Sequence, residues 1–345
     1  MTLSFSGAGH LLPYHLGVSL AFLEHIHQTE THKRIPKKQK KHSLSSITSS
    51  SSLSSSSSNL NSSSTTPKSI PPIKAVAGSS SGAIAAVVFT KLPQRIEEYA
   101  EQFIQTRGKA LEILSSMLLD EERHLSGILY NGGPASLSSS HQHQHSTVSI
   151  DQRKRNNIPN LYVATTKCND GSTHLFRYNT NEMFSTISSS WNTDSILQAV
   201  KASCTIPSSF HPIDLLPGLF MDKISYPDQE GILIDGQYYV DGGISSPVPS
   251  IPKLNETTKQ IVVSPISYGE NVNSQQDFHR ISPSDNSWRL LPLQNVQFRN
   301  GFFVKPSMQN IRALRVAGGI ASSDELRDWY ELGIEDGNKA IETWK

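Results

Sequence analysis

The sequence is poor in cysteine and nearly neutral in charge. Cys168 and Cys204 are its two cysteines, and the formal net charge of its 345 residues is +1. Two cysteines exclude the disulfide framework of small secreted domains, so we expect a reducing compartment, with both thiols as small core residues. A net charge near zero provides no field that attracts polyanions, and we expect no nucleic-acid partner.

Long apolar runs are also missing. No uncharged apolar run approaches the roughly 18 residues that a membrane-spanning helix needs. The first ten residues, MTLSFSGAGH, have neither the basic region nor the apolar region of a secretory signal. We therefore expect a cytoplasmic protein that is either soluble or bound peripherally to one side of a membrane.

Two segments have too few apolar residues to form a core. Residues 32–71 combine a basic cluster with a long serine tract, and residues 131–157 are rich in serine and histidine. Neither segment can bury enough apolar surface to offset its chain entropy, so both are predicted to be disordered inserts. The remaining residues have an ordinary globular composition, which predicts a single domain over residues 1–345.

Each insert has one feature that allows more than one interpretation. The basic cluster between Lys33 and Lys41 is compatible with a solvated loop, a nuclear signal or a site for anionic lipid. His141, His143 and His145 alternate as metal-binding histidines can, but no cysteine or carboxylate completes a site beside them. We therefore predict no metal and no cofactor.

Strand-like and helix-like segments alternate along the rest of the chain. TLSFS, IKAVA and NLYVATT predict strands, whereas LLPYHLGVSLAFLEHIH and SSGAIAAVVFTKL predict helices. This alternation predicts an α/β fold whose central, largely parallel sheet is covered by helices on both faces. The polar stretch NSQQDFHRISPSD, residues 273–285, is predicted to be a mobile loop.

The segment AVAGSSSGAIAAVVF, residues 75–89, contains the pattern G-x-S-x-G at Gly78, Ser80 and Gly82. A strand before the pattern and a helix after it predict a nucleophile elbow, in which a strained backbone pushes the central hydroxyl outward. The flanking glycines allow close backbone approach, and the dipole of the following helix favours an anion at Ser80. Ser80 is the candidate nucleophile, and the alternative is a helix cap in a serine-rich loop.

A second glycine turn, SGAGH at residues 6–10, also lies between a strand and a helix. Four consecutive backbone N–H groups can converge there as an oxyanion hole, those of Gly7, Ala8, Gly9 and His10. We expect His10 to act chiefly through its backbone. Nucleotide binding is not expected, because Leu12 occupies the third glycine position of a dinucleotide motif and GSSSGA lacks a phosphate-binding lysine.

A serine nucleophile needs a base, and the sequence offers two candidates. Asp241 opens a DGG motif with Gly242 and Gly243 at the end of a strand, where burial is expected to raise the pKa of the carboxyl. His279 would complete a Ser80–Asp241–His279 triad in α/β-hydrolase order. That fold places several strands before its nucleophile, whereas only TLSFS precedes IKAVA here, so a serine–aspartate pair is favoured.

Four segments in this order, SFSGAGHLLPYHLGV, AGSSSGA, AVKASCTIPSSFHPI and YYVDGGISSPVP, resemble a patatin-like phospholipase domain. Tyr14-His15-Leu16-Gly17, the later strand IVVSPIS and the closing WYELGIEDGNKAIE are similar to its adiponutrin and adipose triglyceride lipase branch. The resemblance spans nearly the whole chain apart from the inserts. Two places depart from the family pattern. Leu12-Pro13 stands where a third glycine is common, and Ser245-Ser246-Pro247 follows DGG in place of Asn-Pro or Asp-Asn.

The resemblance implies a three-layer α/β/α fold and hydrolysis of lipid acyl esters by Ser80 and Asp241, with the Gly7–His10 turn as the oxyanion hole. Its branch implies a triacylglycerol lipase of lipid catabolism. The alternatives are a phospholipase A-type hydrolase, an acyltransferase, or a catalytically inactive lipid-surface binding protein. The implied partner is lipid at a membrane or lipid-droplet surface. The apolar and basic stretch Ser287–Pro306 is either an interfacial patch or part of the core.

Overall fold

The computed structural model of the chain describes the elements around both glycine turns and the DGG motif. Its described residues are 1–34, 70–130, 159–178, 193–210, 225–252, 258–267, 278–284, 296–297, 303–304 and 306–344. Most of the two predicted inserts, residues 32–71 and 131–157, lies outside these stretches, although the first helix continues to Arg34. The three alternating histidines and most of the Ser287–Pro306 stretch also lie outside the described residues.

Helices and strands alternate along the described residues. The helices are α1 (Leu12–Arg34), α2 (Ser81–Lys91), α3 (Ile96–Thr106), α4 (Ala110–Tyr130), α5 (Thr193–Ser203), α6 (Gly242–Ser245), α7 (Met308–Ala317) and α8 (Ser323–Thr343). The strands are β1 (Thr2–Phe5), β2 (Ala75–Ser79), β3 (Asn160–Lys167), β4 (Thr173–Tyr178), β5 (Ile232–Ile234), β6 (Gln237–Asp241), β7 (Gln260–Val263), β8 (Phe278–Ile281), β9 (Val296–Gln297) and β10 (Phe303–Val304). None of the described helices combines the length and the low polarity that crossing a bilayer requires.

One mixed, mostly parallel sheet organises the molecule. Its hydrogen-bonded neighbours follow the order β5-β6-β3-β2-β1-β7-β8, with β4 also paired to β3, while β9 and β10 form a separate antiparallel pair. The neighbours from β3 to β8 are parallel, whereas β4, β5 and β6 join by antiparallel pairing. Helices flank this sheet, in agreement with the predicted three-layer α/β/α fold.

The register along β3 brings the ends of β2 and β6 together. Thr165 and Thr166 pair with β4 and also with β6, so β4 and β6 lie on opposite edges of β3. Leu161 to Ala164 pair with β4 and also with β2, so β2 shares its edge with β6. Since β2 runs parallel to β3 and β6 runs antiparallel to it, the carboxyl ends of β2 and β6 meet on that edge.

Buried side chains alternate between the two faces of the sheet, because successive residues of a strand point to opposite sides. One face packs on the helices as the main apolar core, to which the sheet contributes Leu3, Phe5, Val76, Leu161 and Val163. On the other face, a smaller cluster joins Ala75, Ala77, Tyr162 and Ile251. Both faces of the central strands are therefore covered, as in other parallel sheets.

Helices α1 and α8 pack with their backbones in close contact. A Cβ on Gly17 would lie 2.1 Å from the Tyr330 carbonyl oxygen, and a Cβ on Gly333 would lie 2.2 Å from that of Tyr14. Glycine is therefore required at both contacts. The buried Tyr14 hydroxyl donates a hydrogen bond to Asp336 at 2.9 Å in the same interface. The YHLG and WYELGIEDG segments thus contribute to helix packing.

One expected loop is a strand instead. Residues 278–281, inside the predicted mobile loop, form β8 and pair in parallel with β7. The prediction was wrong because β8 is a short edge strand: His279 and Arg280 are exposed, and Ile281 is buried. Such a strand lacks the apolar alternation on which sequence-based prediction depends.

Candidate active site

Ser80 occupies a strained turn between β2 and α2. Its backbone angles are φ 52° and ψ −128°, a conformation that L-residues rarely adopt. Glycine is required at the positions on either side, Gly78 and Gly82, because neither has room for a side chain. A Cβ on Gly78 would lie 1.9 Å from the Gly82 carbonyl oxygen, and a Cβ on Gly82 would lie 2.5 Å from that of Phe5. The predicted sharp strand-to-helix turn is therefore present, and Ser80 is partly exposed at its tip.

Asp241 is the last residue of β6 and is 5% exposed. Its Oδ1 accepts a hydrogen bond from the Gly243 N–H at 2.7 Å, while its backbone carbonyl accepts one from the Thr166 hydroxyl at 2.7 Å. Gly242 leaves no room for a side chain, since a Cβ there would lie 2.1 Å from the Ala164 carbonyl oxygen. The DGG motif thus fixes the carboxyl against β3.

The side chains of Ser80 and Asp241 interact. Burial raises the pKa of Asp241 to about 6, although hydrogen bonding from the Ser80 side chain and from the Gly243 N–H counteracts this rise. No hydrogen bond of full geometry joins the two side chains among the described residues, where the buried Asp241 Oδ2 has no partner. In many enzymes the catalytic hydrogen bonds become well aligned only when substrate binds.

The glycine turn at residues 6–10 lies beside Ser80 because β1 and β2 are parallel neighbours that end together, with Phe5 paired to Gly78. A Cβ on Gly7 would lie 3.3 Å from the Ser80 Cβ. The Gly7 N–H donates to the Pro247 carbonyl oxygen at 2.8 Å. The turn and the elbow therefore open at the same edge of the sheet.

The four N–H groups of the glycine turn are not equivalent. Two of them already donate hydrogen bonds within the protein: the Gly7 N–H donates to the Pro247 carbonyl oxygen, and the Ala8 N–H donates to the Ser81 hydroxyl at 3.1 Å. Those of Gly9 and His10 have no acceptor in the part of the chain that the structure describes. Gly9 has a φ of 54°, and a Cβ there would lie 2.3 Å from the Ala317 carbonyl oxygen. Gly9 and His10 are therefore the donors that remain for a ligand.

The His10 imidazole packs against α3 and two loops. Its ring lies between the loops at Gly108 and Gly319, where added Cβ atoms would fall 2.8 and 3.3 Å from it. Its centroid is 6.1 Å from that of Phe103. These contacts hold the ring between elements that surround the glycine turn, and the role of the His10 backbone stays a prediction.

Two further histidines do not reach the candidate site. His15 is fully buried with its ring 5.6 Å from that of Phe5, and burial lowers its pKa to about 3, so it is neutral. His279 lies on β8, which is separated from β2 by β1 and β7, or about 14 Å of sheet. Its ring instead contacts Trp344, with 5.8 Å between centroids. The structure does not assemble the Ser80–Asp241–His279 triad.

The residues that depart from the family pattern after DGG link the elements of the site. Besides accepting from Gly7, the Pro247 carbonyl oxygen accepts a hydrogen bond from the Ser79 hydroxyl at 2.9 Å. The Ser245 hydroxyl is 2.8 Å from that of Thr166 and accepts a hydrogen bond from that of Thr173 at 2.9 Å. Ser245 and Pro247 therefore tie the segment after Asp241 to β3, β4 and the glycine turn.

Sequence reasoning did not assign a role to the motif AVKASCTIP, which ends α5. Its Ser203 side chain accepts a hydrogen bond from the Ser80 N–H at 2.8 Å, and the Thr205 carbonyl oxygen accepts one from the Asp241 N–H at 2.8 Å. Burial and the Asp241 charge raise the pKa of the intervening Cys204 thiol well above its usual range, so Cys204 is not a thiolate nucleophile. The position of the motif among the four resembling segments was the only signal for these contacts.

A search of curated protein sequences finds no match to the chain. The family pattern described as patatin-like phospholipase matches residues 3–251, which is most of the chain and includes the glycine turn, the elbow and the DGG motif. The strands that follow, β7 and β8, complete the same sheet. The chain therefore belongs to the patatin-like phospholipase family.

Proposed function

We propose that the chain hydrolyses acyl esters of lipids, with Ser80 as the nucleophile and Asp241 as the base. Membership of the patatin-like phospholipase family supports a lipid acyl hydrolase. The observation that carries the residue assignment is the contact between the strained Ser80 and the buried Asp241, whose pKa is raised to about 6. A carboxylate with this pKa is a better base than an ordinary one and is still ionised at neutral pH.

In the proposed first step, Asp241 accepts the Ser80 proton while Ser80 Oγ attacks the ester carbonyl carbon. The Gly9 and His10 N–H groups donate to the oxyanion, a role that suits them because no acceptor among the described residues engages them. Collapse of the tetrahedral intermediate breaks the ester bond, and Asp241 returns the proton to the leaving alcohol. Water then attacks the acyl-serine carbonyl carbon while Asp241 accepts a proton from it. Collapse of this second tetrahedral intermediate breaks the bond to Ser80 Oγ, Asp241 returns the proton to Ser80 Oγ, and the fatty acid is released.

Triacylglycerol is the substrate we propose, and lipid catabolism the process. Similarity to the adiponutrin and adipose triglyceride lipase branch supports this choice, as does one exposed apolar side chain close to the candidate site. Ile206, which directly follows the Ser203–Thr205 segment, is 65% exposed. Phospholipid hydrolysis, acyl transfer to a second lipid and lipid binding without chemistry are the competing outcomes.

We further propose that α7 rests on the lipid surface. Met308, Ile311 and Leu314, spaced three residues apart, form an exposed apolar face on this helix, and Ile320 just beyond the helix is also exposed. The carboxyl end of α7 contacts the glycine turn, as the closeness of Ala317 to Gly9 indicates. A surface beside the oxyanion donors is well situated to bring an insoluble ester to Ser80.

The charges beside this apolar face favour a neutral lipid surface such as a droplet. Arg312 forms ion pairs with Glu325 at 3.0 Å and with Asp328 at 3.4 Å, and Arg315 pairs with the same Glu325. Both arginines are therefore neutralised within the protein, and the face depends on apolar contact rather than on attraction to anionic headgroups.

Product analysis tests the proposed function. The purified chain is incubated with radiolabelled triacylglycerol emulsion and, separately, with phosphatidylcholine vesicles, and Ser80→Ala serves as the matched control. The proposal predicts free fatty acid and diacylglycerol from triacylglycerol, and no product from the variant. Lysophospholipid as the main product would reassign the substrate, and a new acyl ester of an added alcohol would reassign the reaction. Product formation that persists in Ser80→Ala would contradict the nucleophile assignment.

A further inference from the structure

The segment Ser203–Thr205 contacts both halves of the candidate site through main-chain amides. Ser203 Oγ accepts the Ser80 N–H at 2.8 Å and donates to the Ala164 carbonyl oxygen at 2.6 Å. Two residues later, the Thr205 carbonyl oxygen accepts the Asp241 N–H at 2.8 Å. One short segment therefore holds the backbone of the nucleophile and the backbone of the base.

The ends of β2 and β6 depend on such a link. Both strands pair with β3, but they follow one another along its edge instead of lying side by side, so no ladder of hydrogen bonds joins them. β3 fixes one side of this junction, and the Ser203–Thr205 segment fixes the other. The separation of Ser80 and Asp241 is therefore determined jointly by β3 and by this segment.

The Ser203 hydroxyl has properties that a replacement would not reproduce. Ser203 is 0% exposed, so bulk water does not reach its position. A hydroxyl can accept one hydrogen bond while donating another, and Ser203 does both at once. The amide that it anchors belongs to a residue in a strained conformation, which persists only where the surroundings enforce it.

We propose that Ser203 is a positioning residue that holds Ser80 in its reactive conformation and at the correct distance from Asp241. The proposal rests on the proposed function for its catalytic consequence. The anchoring of the Ser80 amide is independent of that function and can be measured in a protein with no activity.

Two readouts on three proteins test this proposal. The proteins are the wild type, Ser203→Ala, and the control Ser19→Ala, whose equally buried hydroxyl donates to the His15 carbonyl oxygen within α1. The first readout is hydrogen exchange at the Ser80 amide relative to amides inside α2. The second is the rate constant for labelling by a fluorophosphonate across a range of pH.

In Ser203→Ala, we expect exchange at the Ser80 amide to be at least about tenfold faster. Labelling should be about 10- to 100-fold slower, because small displacements of reacting groups have effects of this size. The pH at which labelling is half-maximal should stay where it is, since Asp241 keeps its burial. Ser19→Ala should change neither readout by more than about twofold.

A second variant keeps the test decisive if Ser203→Ala does not fold. Ser203→Cys has nearly the same shape, but its thiol is a weak acceptor, so both effects should appear in reduced size. Unchanged exchange at the Ser80 amide in a folded variant would overturn the anchoring. Faster exchange with unchanged labelling would overturn the positioning role. If the wild type neither labels nor hydrolyses lipid, the proposed function fails, and the exchange comparison alone supports or overturns the anchoring.

Discussion

Ser79 and Asp241 pair with consecutive residues of β3, Ala164 and Thr165. The last residue of β2 and the last residue of β6 therefore meet end to end, and Ser80 is the next residue after Ser79. The contact between the candidate nucleophile and the candidate base is thus fixed by the register of the sheet and not by a loop alone. A base held in this way has a defined environment, from which its titration can be predicted.

The pH dependence of hydrolysis should follow the Asp241 carboxyl. Burial raises its pKa to about 6, and only the ionised form accepts the Ser80 proton. We expect kcat/KM for a water-soluble short-chain ester to rise about tenfold per pH unit below about pH 6 and to level off above it. Initial rates measured from about pH 4.5 to about pH 8.5 check this. A rate that stays constant down to the lowest pH would contradict the assignment of a buried carboxyl as the base.

Replacing Asp241 with asparagine should abolish activity and stabilise the fold at neutral pH. Since the folded pKa is raised from 3.8 to about 6, the folded state is penalised where the carboxylate is ionised. The penalty is absent below the unfolded pKa and complete above the folded one, where it amounts to roughly 1–3 kcal/mol. Asp241→Asn should therefore unfold at higher urea concentration than the wild type at about pH 8, and the difference should vanish near pH 4. Equal stability of the two proteins at both pH values would contradict the raised pKa.

The strain at Ser80 predicts that two inactive variants differ in their free energy of unfolding. Ser80→Ala removes the hydroxyl but keeps the Cβ that makes φ 52° unfavourable, whereas Ser80→Gly removes both. After allowance for the greater chain entropy of glycine, we expect Ser80→Gly to be more stable than Ser80→Ala by about 1 kcal/mol. Urea unfolding of both variants measures this difference. A more stable Ser80→Ala would show that the elbow is not strained.

Charges placed on the apolar face of α7 should separate lipid binding from chemistry. Ile311 and Leu314 are 52% and 53% exposed, so aspartate at either position should not disturb the core. The double variant should bind a triacylglycerol emulsion at least about tenfold more weakly, because it loses the burial of two aliphatic side chains. Hydrolysis of a water-soluble ester should remain within about twofold of the wild type.

Leu119→Asp is the matched control for this measurement, because Leu119 is also exposed on a helix, α4. Emulsion flotation measures the binding of the wild type, the double variant at Ile311 and Leu314, and Leu119→Asp. Equal loss of binding in the control would show that general surface polarity, and not the α7 face, governs association with lipid.

The sequence was most informative where local structure and chemistry coincide. A short apolar strand, GSSSG and an apolar helix together predict the elbow at Ser80, and a strand that ends in DGG predicts the location of Asp241. The glycine turn was also predicted, because its neighbours in the chain are a strand and a helix. In each case, the signal lies within about fifteen consecutive residues, which is the range over which sequence patterns report structure.

Contacts between distant segments could not be predicted in this way. The hydrogen bond from the Ser80 N–H to Ser203 spans 123 positions, and the bond from the Ser79 hydroxyl to Pro247 spans 168. The engagement of the Ala8 N–H by Ser81 depends on the pairing of β1 with β2. These contacts follow from strand order and register, which a single sequence specifies only through the complete fold.

Mapping of a fluorophosphonate adduct tests the central assignment most directly. Trypsin releases residues 75–91 as one peptide, in which fragmentation by tandem mass spectrometry distinguishes Ser79, Ser80 and Ser81. The Ser79 hydroxyl donates a hydrogen bond to the Pro247 carbonyl oxygen, and the Ser81 hydroxyl accepts one from the Ala8 N–H. We therefore predict a single adduct on Ser80 that is absent from Ser80→Ala. An adduct on any other residue of an active preparation, or lipid hydrolysis without an adduct on Ser80, would contradict the account.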